Sequence, residues 1–156
     1  MDMMNTKKIY LIMPILILSA LMSSFSYAEG DLSRANVETL VLEMGANASG
    51  MYFKPKQLNL KTGQAYKLVL KNVDKIKHEF ESEGFVKKIF NRKLEIKNTD
   101  GSLLAEIKGS FYEIEVGPMS EVEWFIVPIQ PGKNIKMVCA IAGHEEAGMH
   151  GLINIL

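Results

Sequence analysis

The chain has 156 residues, 18 basic against 18 acidic side chains, and 47 % apolar residues. That length and apolar share suit one domain with a modest core. A formal charge of zero leaves no basic excess for nucleic acid and no acidic block of the kind that marks a disordered tail.

The N-terminus reads as an export signal. Lys7 and Lys8 precede an apolar run from Ile9 to Met22, and Ser26-Tyr27-Ala28 is a small-x-small cleavage pattern. Ile9 to Ala28 carries no charge, as an uncleaved anchor would, but Pro14 interrupts it and its end is serine-rich. Cleavage after residue 28 is the expectation, with no stable membrane insertion afterwards and a periplasmic or secreted location. Losing Asp2, Lys7 and Lys8 leaves 16 basic against 17 acidic residues from Glu29 onward. A lipid anchor would need a cysteine at position 29, which is Glu. Residues 29–36 read as a polar leader, and the domain as 37–156.

Val37 to Met44 is rich in Val, Leu and Thr and reads as a first strand, followed by a flexible loop from Gly45 to Gly50. Met51 to Pro55 reads as a short edge segment, because proline cannot donate to a ladder. Leu58 and Leu60 alternate with polar neighbours, and Thr62-Gly63 is a turn. Ala65 to Asn72 is a clear strand, with Tyr66, Leu68 and Leu70 on one face. Asn72-Val73-Asp74 reads as a turn, and Ile76 to Ser82 as a strand with Ile76, His78 and Phe80 together. Phe85, Ile89 and Phe90 stand at helical spacing, so 85–97 reads as a short helical or irregular insertion. Asp100-Gly101 is a hairpin signal between strands. Leu103 to Ile107, Phe111 to Val116 and Val122 to Val127 are further strands. Pro131-Gly132 reads as a type II turn. Asn134 to Cys139 places Ile135, Met137 and Cys139 on one face, and Gly151 to Leu156 closes the sheet. Seven or eight short strands with turn signals between them and no sustained helix predict an all-β Greek-key sandwich. Asn47-Ala48-Ser49 is a glycosylation sequon, meaningful only in a eukaryotic secretory pathway.

The chemistry concentrates in CAIAGHEEAGMHG, residues 139–151. It holds the one cysteine, two of the three histidines and Met149. A lone cysteine in an exported protein makes no internal disulfide, and metal ligation is one way to occupy it. The bland alternative is a small buried apolar residue. Cys139, His144 and Met149 stand at even steps of five, with glycines at 143, 148 and 151. One thiolate, two imidazoles and a weak thioether form the trigonal-plus-axial copper set. The run supplies three of those four, and the only histidine outside it is His78. Its predicted strand face is apolar, where a histidine is ordinarily a hydrogen-bonded core residue. His150 competes with Met149, although neighbours on an extended segment point to opposite sides. Zinc also accepts one cysteine and two histidines, but a following methionine gives no reason to prefer it.

Cys-x4-His-x4-Met before a C-terminal strand, with one histidine 61 positions upstream in His78-Glu79-Phe80, resembles the cupredoxins, in particular small exported members. The resemblance runs from about Met51 to Leu156. It implies one copper per chain, with His78, Cys139 and His144 equatorial and Met149 the long axial ligand. Two departures stand out. Several blue-copper proteins carry Asn after the first histidine, where this chain has Glu79; its backbone N–H could still reach the thiolate. Glu145 and Glu146 follow His144, where familiar electron carriers are apolar; they could favour Cu(II) or simply be a solvated loop face. The resemblance implies a non-enzymatic function. A dinuclear copper centre needs two cysteines, and copper oxidases and nitrite reductases need histidines for a second copper beyond the three present. A catalytic Cys–His pair remains formally open. Two functions compete: an electron carrier working with a redox partner protein, and a copper-tolerance or copper-delivery protein working with copper transport. A copper-free structural sandwich would make the ligand pattern a coincidence.

Overall fold

The computed structural model describes residues 36–156. The expected signal peptide, its cleavage point and residues 29–35 of the leader lie outside the described residues. Eleven strands and one helical turn follow: β1 (Val37–Asn47), β2 (Gly50–Lys54), β3 (Gln57–Leu60), β4 (Ala65–Asn72), β5 (His78–Glu81), α1 (Glu83–Val86), β6 (Ile89–Lys97), β7 (Leu103–Ile107), β8 (Glu113–Val116), β9 (Glu121–Pro128), β10 (Gly132–Val138) and β11 (His150–Ile155). No helix among the described residues is long and apolar enough to cross a membrane.

The strands form two mixed sheets. One has the order β2-β1-β4-β9-β6-β7, the other β3-β11-β10-β5-β8. Pairing is antiparallel except for β1 with β4 and β3 with β11. Of the consecutive strand pairs, only β1–β2, β6–β7 and β10–β11 stay within one sheet. The chain therefore passes repeatedly across the core, and strand ends distant in sequence meet at one pole.

Alternation builds the interior as expected on β4 and β9. Tyr66, Leu68 and Leu70 are buried, as are Val122, Trp124 and Ile126. Trp124, 1 % exposed, stands at the centre. Its ring meets Phe80 and Phe85 edge-on, with centroids 5.8 Å away in each case, and Phe111 at 5.4 Å. Its indole N–H donates to Asn91 Oδ1 at 2.8 Å, so burial strands no polar atom. Phe80 belongs to the opposite sheet and lies two residues after His78 on the same strand face. The aromatic cluster thus fixes the height and rotation of β5, and with it His78.

The structure corrects several expectations. The described residues form eleven strands rather than seven or eight. The supposed loop from Gly45 to Gly50 is a tight hairpin: Gly45 to Asn47 belong to β1 and Gly50 to β2, with the pairing running down to Asn47↔Gly50. A Cβ on Gly45 would lie 3.0 Å from both Tyr52 Oη and Val73 Cγ2, so the glycine serves close packing, not a loop. Residues 85–97 are mostly strand: α1 is one turn, and β6 runs for nine residues. Ile89 and Leu94 are both buried although five apart, which strict alternation forbids. A bulge resolves this, since Asn91 pairs with Ile126 and Lys93 with Phe125, two steps on β6 for one on β9. That bulge is what made the stretch look irregular in sequence. Pro131-Gly132 is not a type II turn: Gly132 has no positive φ and opens β10. A Cβ there would lie 2.8 Å from Ile135 Cδ1, while the left-handed residue is Asn134, at φ 54°. β5 begins at His78, so Ile76 precedes it and is 44 % exposed.

Candidate metal centre

β5 and β10 are neighbours in the five-stranded sheet, yet they share a single paired position, Val138↔Glu81. Cys139 follows β10 directly, and there the ladder stops. Glu79 N–H, left without a strand partner on that side, donates to Cys139 Sγ at 3.3 Å. The thiol occupies the place a carbonyl would hold in a continued ladder. This is the backbone contact expected from Glu79, and its side chain takes no part in it.

From Cys139 the chain makes a compact loop. His144 N–H donates to Ile141 C=O, Ala147 N–H to Gly143 C=O and Gly148 N–H to Glu145 C=O, at 2.9–3.0 Å. Gly143 and Gly148 have φ of 84° and 106°, a region where a side chain is strained. Met149 closes the loop at both ends: its N–H donates to His144 C=O, and its C=O accepts from Cys139 N–H, each at 3.0 Å. Met51 N–H of β2 donates to Ala147 C=O at 2.9 Å and pins the loop to the other sheet. The even spacing of five seen in the sequence is thus the spacing of a hydrogen-bonded coil.

Three donor atoms converge: one nitrogen each of His78 and His144 and Cys139 Sγ lie within 4.8 Å of one another. His78 Nδ1 is 3.3 Å from His144 Nδ1, which is 3.2 Å from the sulfur. Exposure is 0 % for His78, 1 % for Cys139 and 9 % for His144, so only His144 touches solvent. Met149 is fully buried in the same core cluster as Cys139. His150 is exposed at the start of β11 and pairs with Val138, away from the group. Glu145 is held in an ion pair with Lys136, while Glu146 is exposed.

Burial pushes the Cys139 thiol up, against the N–H groups of Glu79 and Ile141. Burial also holds the His144 imidazole below its usual range, and His78 adds to that. Without a metal the site is therefore a neutral thiol beside a neutral imidazole. A bound cation would replace the thiol proton, since a coordinating thiol is held as thiolate.

Two residues that bear on the placement of His78 escaped the sequence reading. Asp74 Oδ2 lies 3.2 Å from His78 Nε2. Its carboxyl is held below the usual range, first by Lys75 N–H and then by His78. Asn72, 1 % exposed, donates its side-chain amide to the carbonyls of Ile76, Val116 and Gly117 at 2.8–3.0 Å and accepts Asp74 N–H at 2.8 Å. What had read as a plain turn is a buried clasp between β4, β5 and β8. The spacing of Asp74 and His78, four apart, was the available signal, but it carries meaning only once the loop's path is known.

The sequence matches no family model and no curated protein. Solved structures do resemble it. A multicopper oxidase from Campylobacter jejuni superposes with a TM-score of 0.61 at 17 % identity, over 83 % of this chain and 32 % of that one. A copper nitrite reductase from Nitrosomonas europaea gives 0.59 at 11 %, over 82 % and 52 %. A Cu-containing nitrite reductase from Thermus scotoductus gives 0.59 at 15 %, over 86 % and 34 %. This chain spans about a third to a half of those proteins. At such identities the likeness is one of fold: the chain is a nearly all-β, cupredoxin-like sandwich, with a His-Cys-His group that could hold one metal ion.

Proposed function

We propose that this chain is an exported mononuclear copper protein that serves as an electron carrier, with His78, Cys139 and His144 as the equatorial ligands and Met149 as the axial one. The observation carrying this reading is the buried convergence of two imidazole nitrogens and a thiol sulfur at one pole of the sandwich. The donor set fits copper: thiolate suits Cu(I), and imidazole suits Cu(II) as well. Met149 is preferred over His150 because it is buried in the core cluster that holds Cys139 while His150 is exposed. Export rests on the N-terminal pattern of the sequence.

Copper, when bound, supplies a one-electron Cu(II)/Cu(I) couple. The chain's residues do the rest. The loop bonds of Cys139, His144 and Met149 fix three ligands in one rigid coil, and β5 fixes the fourth, so little has to move when the charge changes. Glu79 N–H steadies the thiolate sulfur. His144 is the ligand that reaches solvent, and Ile141, Ala142, Gly143 and Ala147 of the same loop are apolar and at least partly exposed, a surface suited to close approach by a redox partner protein. Copper tolerance or delivery, with a copper-transport partner, is the second reading. The exposed Glu146 favours it, but Glu145 is already engaged by Lys136.

The test is addition of Cu(II) to the reduced protein, followed together by visible absorption and electron paramagnetic resonance. An intense thiolate-to-copper band saturating at one equivalent, absent in Cys139→Ser, is expected. Weak colour with immediate reduction to a tightly held Cu(I) turns the reading toward copper handling. No stoichiometric binding overturns both.

A further inference from the structure

The metal-facing nitrogen of a histidine is set by what its other nitrogen meets. For His78 that partner is Asp74 Oδ2, 3.2 Å from Nε2. His78 is wholly buried, and the Asp74 side chain is 21 % exposed, so the carboxylate sits between the ring and water. Asp74 is itself clamped. Its Oδ1 accepts Lys75 N–H at 2.7 Å, its own N–H donates to Asn72 Oδ1 at 2.8 Å, and its C=O accepts Met119 N–H at 3.0 Å. Met119 is left-handed, at φ 52°, in the β8–β9 connection, so the backbone of Asp74 is tied on one side to the end of β4 and on the other to that connection. One carboxylate oxygen shapes the turn, and the second is left for His78.

We propose that Asp74 is a positioning residue for the metal centre, its carboxylate holding His78 as the Nε2–H tautomer so that a bare Nδ1 faces Cys139 and His144. This deepens the copper reading above and rests on it for the ligand role of His78. A carboxylate only accepts, so the proton between Asp74 and His78 stands on Nε2. With that proton on Nε2 and no second one on the ring, the lone pair is on Nδ1, which lies 3.3 Å from His144 Nδ1, itself 3.2 Å from Cys139 Sγ. An anionic acceptor also raises the donor strength of the imidazole more than a neutral carbonyl does, and so favours the higher oxidation state of a bound metal. A plain turn residue would do none of this.

Asp74→Asn discriminates. If its Oδ1 keeps the bond from Lys75 N–H, its Nδ2 faces His78 Nε2 as a donor. That favours Nδ1–H and blocks the metal-facing nitrogen. Asp74→Ser keeps an acceptor for Lys75 N–H and presents no carboxylate to the ring, which guards against a folding defect in the first variant. The measurement is the nitrogen-15 spectrum of the histidine rings in the metal-free, reduced protein, followed by Cu(II) and Cu(I) titration. Wild type should show Nε2–H at His78. Asp74→Asn should move the proton toward Nδ1 and lose about 10–100-fold in Cu(II) affinity, with a smaller loss for Cu(I) and an upward shift in reduction potential. An unchanged tautomer and an unchanged Cu(II)-to-Cu(I) affinity ratio in both variants overturn the proposal. If wild type binds no copper, the copper reading fails, while the tautomer measurement still decides the role of Asp74 in the metal-free protein.

Discussion

In the six-stranded sheet β4 pairs with β1 over eight consecutive positions and with β9 over six. In the five-stranded sheet β10 meets β5 at one position and then leaves it. The first sheet runs in long ladders, interrupted by bulges on β6, and its outer face is tied by ion pairs such as Lys67–Glu123 and Lys97–Glu123. The second is broken where Cys139 follows Val138, and three of the four proposed ligands lie at or near the ends of its strands: His78 opens β5, Cys139 follows β10 and Met149 precedes β11. A ladder spends every N–H on a carbonyl, whereas a broken ladder leaves an N–H for a sulfur. Scaffold and site thus fall largely in different sheets, joined through the contact of Phe80 with Trp124 and through the hydrogen bonds of Met51 to Ala147 and of Asn72 to Val116 and Gly117.

That division is open to a paired test. Cys139→Ser should abolish the thiolate-to-copper band and the one-equivalent binding, the largest expected effect. It should cost the fold only about 1 kcal/mol, the net worth of one altered buried hydrogen bond. Trp124→Ala should do the reverse: denaturant unfolding should show about 3–5 kcal/mol lost, the usual cost of emptying a buried aromatic site, with copper still bound at one equivalent by the folded fraction. If Trp124→Ala loses copper binding without losing stability, scaffold and site are not separate. Met149→Leu conserves volume and should cost less than about 1.5 kcal/mol. It should alter the resonance spectrum of the copper-loaded protein while keeping one equivalent bound. His150→Ala should match wild type in both respects, and a changed spectrum there would reverse the assignment of the axial ligand.

How far the molecule could be read from its sequence follows the same division. β4 and β9 announce themselves because long ladders demand unbroken alternation, and Tyr66, Leu68, Leu70, Val122, Trp124 and Ile126 supply it. The loop from Cys139 to Met149 was legible because its internal hydrogen bonds are local, spanning at most ten residues, so that part of its geometry is written in spacing. Irregular and non-local features were hidden. The bulge at Asn91–Lys93 disguises β6 by shifting its buried positions out of phase. β3 carries only two buried leucines and is a strand because β11, nearly a hundred residues later, lies parallel to it. Asp74 meets His78 because Asn72 folds the intervening loop back on three carbonyls, and no local pattern encodes that. Convergence of His78 with Cys139 and His144 was anticipated from chemistry, by counting the histidines left to complete a set.

The smallest expected effect lies on the ladder itself and tests whether its ion pairs matter apart from the site. Glu123 is 9 % exposed on β9 between Lys67, at 3.0 Å, and Lys97, at 2.6 Å. Burial pushes its carboxyl up, but the hydrogen bonds from Lys97 and Lys67 outweigh this and hold it below the usual range. A carboxyl whose folded pKa is depressed adds stability that is fully present above its unfolded value, about 4.3, and is lost as pH falls through the lower folded value. Glu123→Gln removes that contribution. The variant should be less stable than wild type at neutral pH by about 1 kcal/mol or less, the range for pairs of this kind. The two stability curves should converge as the pH drops below about 4, because protonation then does to wild type what the substitution has already done. Copper binding at neutral pH should not change, since Glu123 lies in the sheet that carries none of the proposed ligands. A difference that stays constant from pH 7 to pH 3 would mean that Glu123 acts through packing rather than charge. A shift in the copper spectrum would mean that Glu123 is coupled to the site through the contacts that join the two sheets.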